Sequence, residues 1–238
     1  MSKNIPISNI IKELGTLKQK NAMKDLSDVC HCIQESSAKS GRGLSTGEKI
    51  DFFITTQFLP SHLNKSFKPY HKGEADFKIN STKISFKTTK SGGELALCWS
   101  RNDDASNQTN PKPCDHWKVP ILIYVRESSQ WWKSGPKKPW SKKKPNKKKP
   151  FTPKEKQEFT EVIKPGLYLI DTNGGTGMPG LRQNNKSTCI IDKQEVYKLL
   201  VKAKNQKLFI KMPEPDKKRF KKMKFVFVDG KNKDYNIS

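Results

Sequence analysis

Asp76, Lys87 and Glu94 are gathered around one short segment, GEADFKINSTKISFKTTKSGGE (73–94). Their types are those that metal-assisted hydrolysis of a phosphodiester requires. Carboxylates and backbone carbonyls suit Mg²⁺, which keeps several waters and takes only one or two protein carboxylates. Such an ion neutralises charge on a phosphate and helps activate the attacking water. An ammonium beside it orients that water and stabilises charge that develops on the phosphate. Side chains alternate along a strand, so Ser85 and Lys87 point one way while Ile84, Phe86 and Thr88 point the other. With Ile84 and Phe86 in the core, Lys87 is left at a polar edge beside the strand that Asp76 begins. Taken singly, an Asp at a strand start is a turn residue and a strand Lys is an edge charge. The density of Glu74, Asp76, Lys87 and Glu94 around one hairpin favours the chemical reading.

Elements on both sides must hold this hairpin. Ahead of it, NIIKELGTLKQ and AMKDLSDVCHCIQ carry apolar residues at helical spacing, and STGEKIDFFITTQFL opens with Ser45 and Glu48 in capping-box register. Strands are expected at DFKIN, KISFKTT, ELALCWS, VPILIYVR and GLYLID, and later at KLFIKM and KFVFVDG. Thr152, Pro153 and Glu155 predict a helix running to about Val162, and DKQE from Asp192 predicts another over KQEVYKLLVKA. Helices, then strands, then mixed elements indicate an α/β domain, a central mixed β-sheet flanked by helices. At 238 residues the chain reads as one domain, 1–238, with a Lys/Pro-rich insertion at about 131–151.

The formal net charge of +24 makes a polyanion the natural partner, and nucleic acid the first choice. No lipidation signal, signal peptide or apolar run of membrane-spanning length is present, so no membrane partner and a cytoplasmic location are expected. Five scattered cysteines fit a reducing compartment. Cys30, Cys32, Cys114 and His116 could together offer ligands to zinc, but their spacing matches no common zinc motif, and buried thiols are the favoured reading. Glycines in DTNGGTGMPGLRQNNKS are followed by no Gly-Lys-Ser/Thr, which argues against nucleotide binding.

The hairpin resembles the PD-(D/E)XK nuclease superfamily, and type II restriction endonucleases in particular. An acid opens one strand and an acid-X-Lys sequence lies on the next; here these are Asp76, preceded by Ala75, and Ser85-Phe86-Lys87. KTTKSGGELALCWSRN also resembles the segment that follows the lysine in several such enzymes, and the likeness spans about residues 45–126. Ser85 departs from the pattern by supplying no charge. Some members of the superfamily place that acid later, and Glu94 is the local substitute, with Glu74 and Glu48 as further acids; Glu48 is read first as half of its capping box. The resemblance implies a restriction-endonuclease-like fold and Mg²⁺ held by Asp76, Glu94 and the Phe86 carbonyl. Asp76, Lys87 and Glu94 would then be the catalytic residues.

Sequence recognition needs two-point hydrogen bonding to base edges, Arg to guanine and Asn or Gln to adenine. Arg101, Asn102, Arg182, Gln183, Asn184 and Asn185 have that composition, although polar turns have it too. Lys142, Lys143 and Lys144 in the insertion are expected to track the phosphate backbone, and Trp131, Trp132 and Trp140 could stack on bases. A palindromic target would call for a homodimer. The expected function is therefore a Mg²⁺-dependent type II restriction endonuclease acting on double-stranded DNA. The alternatives are a structure-specific DNA nuclease and a non-catalytic basic protein that binds nucleic acid.

Overall fold

The computed structural model describes residues 7–19, 21–39, 45–72, 74–90, 94–98, 117–132, 159–172, 181–185, 188–216, 218, 225–228 and 234–237. Three helices come first: α1 (Ile7–Gln19), α2 (Ala22–Lys39) and α3 (Thr46–Phe53). The last of these continues through a π turn, Ile54–Phe58, into α4 (Leu59–Leu63). The Ser45 hydroxyl accepts from the Glu48 N–H at 3.3 Å while the Glu48 carboxylate accepts from the Ser45 N–H at 2.7 Å, so the expected capping box starts α3. Those hydrogen bonds hold the Glu48 carboxyl below its ordinary value.

The strands are β1 (Phe67–Lys72), β2 (Ala75–Ile79), β3 (Thr82–Thr89), β4 (Leu95–Cys98), β5 (Ile121–Val125), β6 (Ser129–Trp132), β7 (Phe159–Ile163), β8 (Gly166–Ile170), β9 (Leu181–Asn185) and β10 (Thr188–Ile191). After α5 (Lys193–Asn205) come β11 (Phe209–Lys211), β12 (Phe225–Val228) and β13 (Asp234–Ile237). Six of them form the central sheet in the order β1-β2-β3-β5-β8-β11, antiparallel throughout except where β3 runs parallel to β5. The fold is thus α/β with a mixed sheet, as expected. Smaller sheets are β4-β10-β9, β6-β7 and β12-β13.

Alternation along the strands divides the interior in two. Phe77, Ile79, Ile84, Phe86, Leu122, Tyr124, Leu167 and Leu169 face a core shared with α1 to α4, including Leu14, Leu26, Ile33, Ile50 and Ile54. Their neighbours in the chain, Ile121, Ile123, Val125, Tyr168 and Ile170, face a second core built with α5, β4 and β10 and with Trp117. Every residue of β5 and β8 is buried, because both faces of that half of the sheet are covered. In β2 only alternate residues are buried, and the second core draws nothing from β1, β2 or β3. One face of that half therefore carries Lys68, Asp76, Lys78, Lys83, Ser85 and Lys87 instead of apolar side chains.

The β2–β3 hairpin closes through Asn80 and Ser81, with Ile79 opposite Thr82. Asn80 adopts φ 56°, the positive φ that a two-residue loop asks of its first residue, and its N–H donates to the Ser66 carbonyl at 2.6 Å. At the far side of the first core, the buried Asp28 accepts from Lys24 Nζ at 2.6 Å and from the Asp216 N–H at 2.9 Å, which ties the segment after β11 to α2.

Two expectations need correction. The helix predicted to run to about Val162 gives way over Phe159–Ile163 to strand β7, paired with β6; the β-branched and aromatic residues of FTEVI outweigh the cap signal. Residues 151–158 lie outside the described residues. The basic insertion begins later than residue 131, since Trp131 and Trp132 belong to β6.

Candidate active site

Where β2 and β3 part, the backbone creates an opening that side chains must fill. β3 pairs with β2 over Thr82–Ile84 and with β5 over Ser85–Thr89. The Ser85 N–H donates to the Pro120 carbonyl (2.9 Å), and the Arg126 N–H to the Thr89 carbonyl (3.0 Å). In a parallel ladder these bonds assign the odd-numbered residues of β3 to β5, so the Phe86 N–H and carbonyl turn toward β2. There the Asp76 carboxylate takes the place of a ladder partner. Its Oδ2 accepts from the Phe86 N–H at 2.6 Å and from Ser85 Oγ at 3.2 Å. Lys87 Nζ lies 3.8 Å from the same oxygen. Asp76 and Lys87 are thus brought together, their side chains 37% and 21% exposed, accessible to a substrate but fixed by the fork.

Ser85, fully buried, occupies the position where the resembling motif carries an acid. A second acid nevertheless reaches β3 from the helical layer. Asp51 of α3 accepts a hydrogen bond from the Thr88 hydroxyl through Oδ1. Burial pushes its carboxyl up to about 6 against the bond from Thr88 and the attraction of Lys87; the charge of Asp76 pushes it further up, and Arg126 draws it down. The charges of Lys87 and Asp76 thus both act on the Asp51 carboxyl. Asp51 was not among the expected residues. The signal that could have found it is an acid inside an apolar helical run, KIDFFI, one turn beyond the capping Glu48.

Glu94 is exposed just ahead of β4, whose partner is β10 rather than a strand of the central sheet. The Glu74 carboxylate accepts from the N–H groups of Lys118 (2.5 Å) and Val119 (3.1 Å), which fastens the entry of β2 to the entry of β5. Among the described residues no three His, Cys, Asp or Glu side chains gather as a metal-binding cluster. The Asp76 carboxylate and the Phe86 carbonyl turned to the same opening, with Asp51 on the helix packed against β3, are nonetheless oxygen donors of the kind that suit Mg²⁺. Asp51 fits this in a second way, because a bound cation favours the ionised form of a carboxyl that burial holds near pH 6.

Arg182, Gln183, Asn184 and Asn185 lie in β9, an edge strand of the three-stranded sheet, rather than in a turn. Arg101, Asn102, Lys142, Lys143, Lys144 and Trp140 lie outside the described residues. Cys30 and Cys32 are buried on α2, and burial pushes the Cys30 thiol up to about 12 and raises Cys32 as well, so both remain thiols. Cys114 and His116 lie outside the described residues. No described helix is long and apolar enough to cross a membrane.

No family model matches the chain, and no curated protein does. Among solved structures it is similar to a restriction endonuclease in complex with substrate DNA, with a TM-score of 0.47 and 14% identity over 85% of this chain and 90% of that one.

Proposed function

We propose that this protein is a Mg²⁺-dependent endonuclease that hydrolyses phosphodiester bonds of double-stranded DNA at a specific sequence, in the manner of a type II restriction enzyme. The observation that carries the proposal is the pairing of Asp76 with Lys87 at the fork between β2 and β3, with Lys87 Nζ 3.8 Å from the Asp76 carboxylate. Asp51, Asp76 and the Phe86 carbonyl would hold the metal, which when bound supplies charge neutralisation at the phosphate and lowers the pKa of bound water. Lys87 has the reach and charge to orient the attacking water and to stabilise the phosphate oxygens as charge grows on them. The Phe86 N–H and Ser85 hydroxyl hold Asp76 in place, and the Thr88 hydroxyl holds Asp51. Ser85 in this assignment positions one acid while Asp51 supplies the other.

The fold's net charge of +24 accords with a polyanionic substrate. A palindromic target would be cut by two copies of the chain related by twofold symmetry. The test is incubation of purified protein with unmethylated phage or plasmid DNA, with Mg²⁺ or with EDTA. Discrete fragments that form only with Mg²⁺ are the expected result. A smear or nicking would replace sequence recognition by structure recognition, and DNA left intact in both lanes would remove the catalytic assignment.

A further inference from the structure

Beside the fork, the same face of the sheet carries a row of lysines. Register places Lys68 of β1 opposite Lys78 of β2, and Lys78 opposite Lys83 of β3. Lys78 lies two residues from Asp76 on one strand, and Lys83 lies four from Lys87 on the next, so by alternation all five share a face. Like charges directly opposite one another across strands destabilise a sheet. No acid among the described residues pairs with any of the three. Tyr70 restrains two of them, its ring 4.0 Å from Lys78 Nζ and 5.1 Å from Lys83 Nζ. The electron-rich face of the ring offsets part of the repulsion and fixes where the ammonium groups stand.

We infer that Lys68, Lys78 and Lys83, the last two organised by Tyr70, form a phosphate track for the DNA strand that enters the fork. The dimensions fit. Strands are spaced about 4.8 Å apart, so three residues in register across β1, β2 and β3 span about 10 Å. Along duplex DNA each strand presents a phosphate about every 3.4 Å of axis, so the row spans about three phosphate intervals. Two residues of strand, about 7 Å, separate Asp76 from Lys78 at right angles to the row, so the row flanks the fork. The lysines contact backbone and read no bases, so the track supplies affinity and register rather than sequence preference.

The inference rests on the reading of DNA as substrate, and its test separates the two. Full-length wild type and the triple variant Lys68→Gln, Lys78→Gln, Lys83→Gln are titrated onto a labelled duplex of mixed sequence in EDTA, so that binding is read without cleavage. Three released counterions correspond to a change of about 2.7 in the slope of log affinity against log salt, or about fortyfold less loss of affinity between about 50 and about 200 mM salt. The variant is expected to show that flatter slope, and the corresponding triple Arg variant to restore it. A Gln variant that binds with the wild-type slope overturns the track even if wild type cuts DNA. A wild type that binds with a steep slope and a variant that flattens it uphold the track even if no DNA is cut, whereas a wild type that does not bind the duplex sinks both. Weakened binding that Arg does not restore would assign the row a structural role and also overturn the proposal.

Discussion

The two halves of the central sheet obey different rules. β5 and β8, with every side chain buried, are covered on one face by α1 to α4 and on the other by α5 and the β4-β10 pair. β2 and β3 share the first cover but not the second, and their other face bears Asp76, Lys78, Lys83 and Lys87. The closed half derives its stability from burial on two sides. The open half, whose second face joins no apolar core among the described residues, holds polar groups in fixed positions, and it acquires the carboxylate–ammonium pair at the line where one half gives way to the other.

Changes in the open half should therefore alter chemistry and leave the fold intact. Asp76→Asn keeps an oxygen that can accept from the Phe86 N–H while it removes the charge, and Lys87→Ala removes the ammonium. Each is expected to reduce the cleavage rate by about 10²–10³-fold or more. Thermal melts should change little, since an exposed ion pair contributes only about 0–1 kcal/mol. Wild-type cleavage in either variant would dissolve the distinction between the halves.

The closed half should behave in the opposite way. A Cβ on Gly166 would collide with the Ile210 carbonyl and the Phe209 ring of the neighbouring strand, where backbones approach too closely for a side chain. Gly166→Ala is expected to cost about 3 kcal/mol, a fall of about 6–12 °C in Tm. Cleavage should persist below the melt. A variant that melts normally but fails to cut would place function in the wrong half.

Asp51 crosses the division, and the effect of replacing it on stability should be opposite in sign. Its folded carboxyl titrates near 6 against an ordinary 3.8, so between those values the unfolded chain releases a proton that the folded protein keeps. Wild-type stability therefore falls as pH rises through that window and levels off above it. Asp51→Asn, which can still accept from the Thr88 hydroxyl, should stabilise the metal-free protein at pH 8 by about 2–3 kcal/mol and leave it unchanged below about pH 4. The same variant should lose cleavage. Denaturant melts across the pH range check the first outcome, and a melt at pH 8 less stable than wild type would contradict it.

What could be read from the sequence follows the same division. Strand alternation places Asp76 and Lys87 on one polar face, and the continuous apolar runs ILIYV and GLYLI mark strands covered twice. Asp51 escaped because its approach depends on how α3 packs over β3, a tertiary relation that no local pattern encodes. Its neighbour Glu48 drew notice through a capping box that is indeed local. Glu94 is close to Lys87 in the chain and lies just ahead of β4, which leaves the central sheet to pair with β10. RQNN has the composition of a turn and yet pairs with β10, where the partner strand's alternation decides the structure.

Asn80 gives the hairpin a vulnerability of its own. This residue has no part in the proposed chemistry, yet its turn aligns β2 with β3. Because side chains alternate with a period of two, an alignment error of one residue inverts a strand instead of displacing it slightly. Phe86 and Lys87 would exchange faces, the ammonium entering the core as the ring left it. The register that puts Asp76 and Lys87 on one face is thus fixed in part by a left-handed asparagine that lies outside the site.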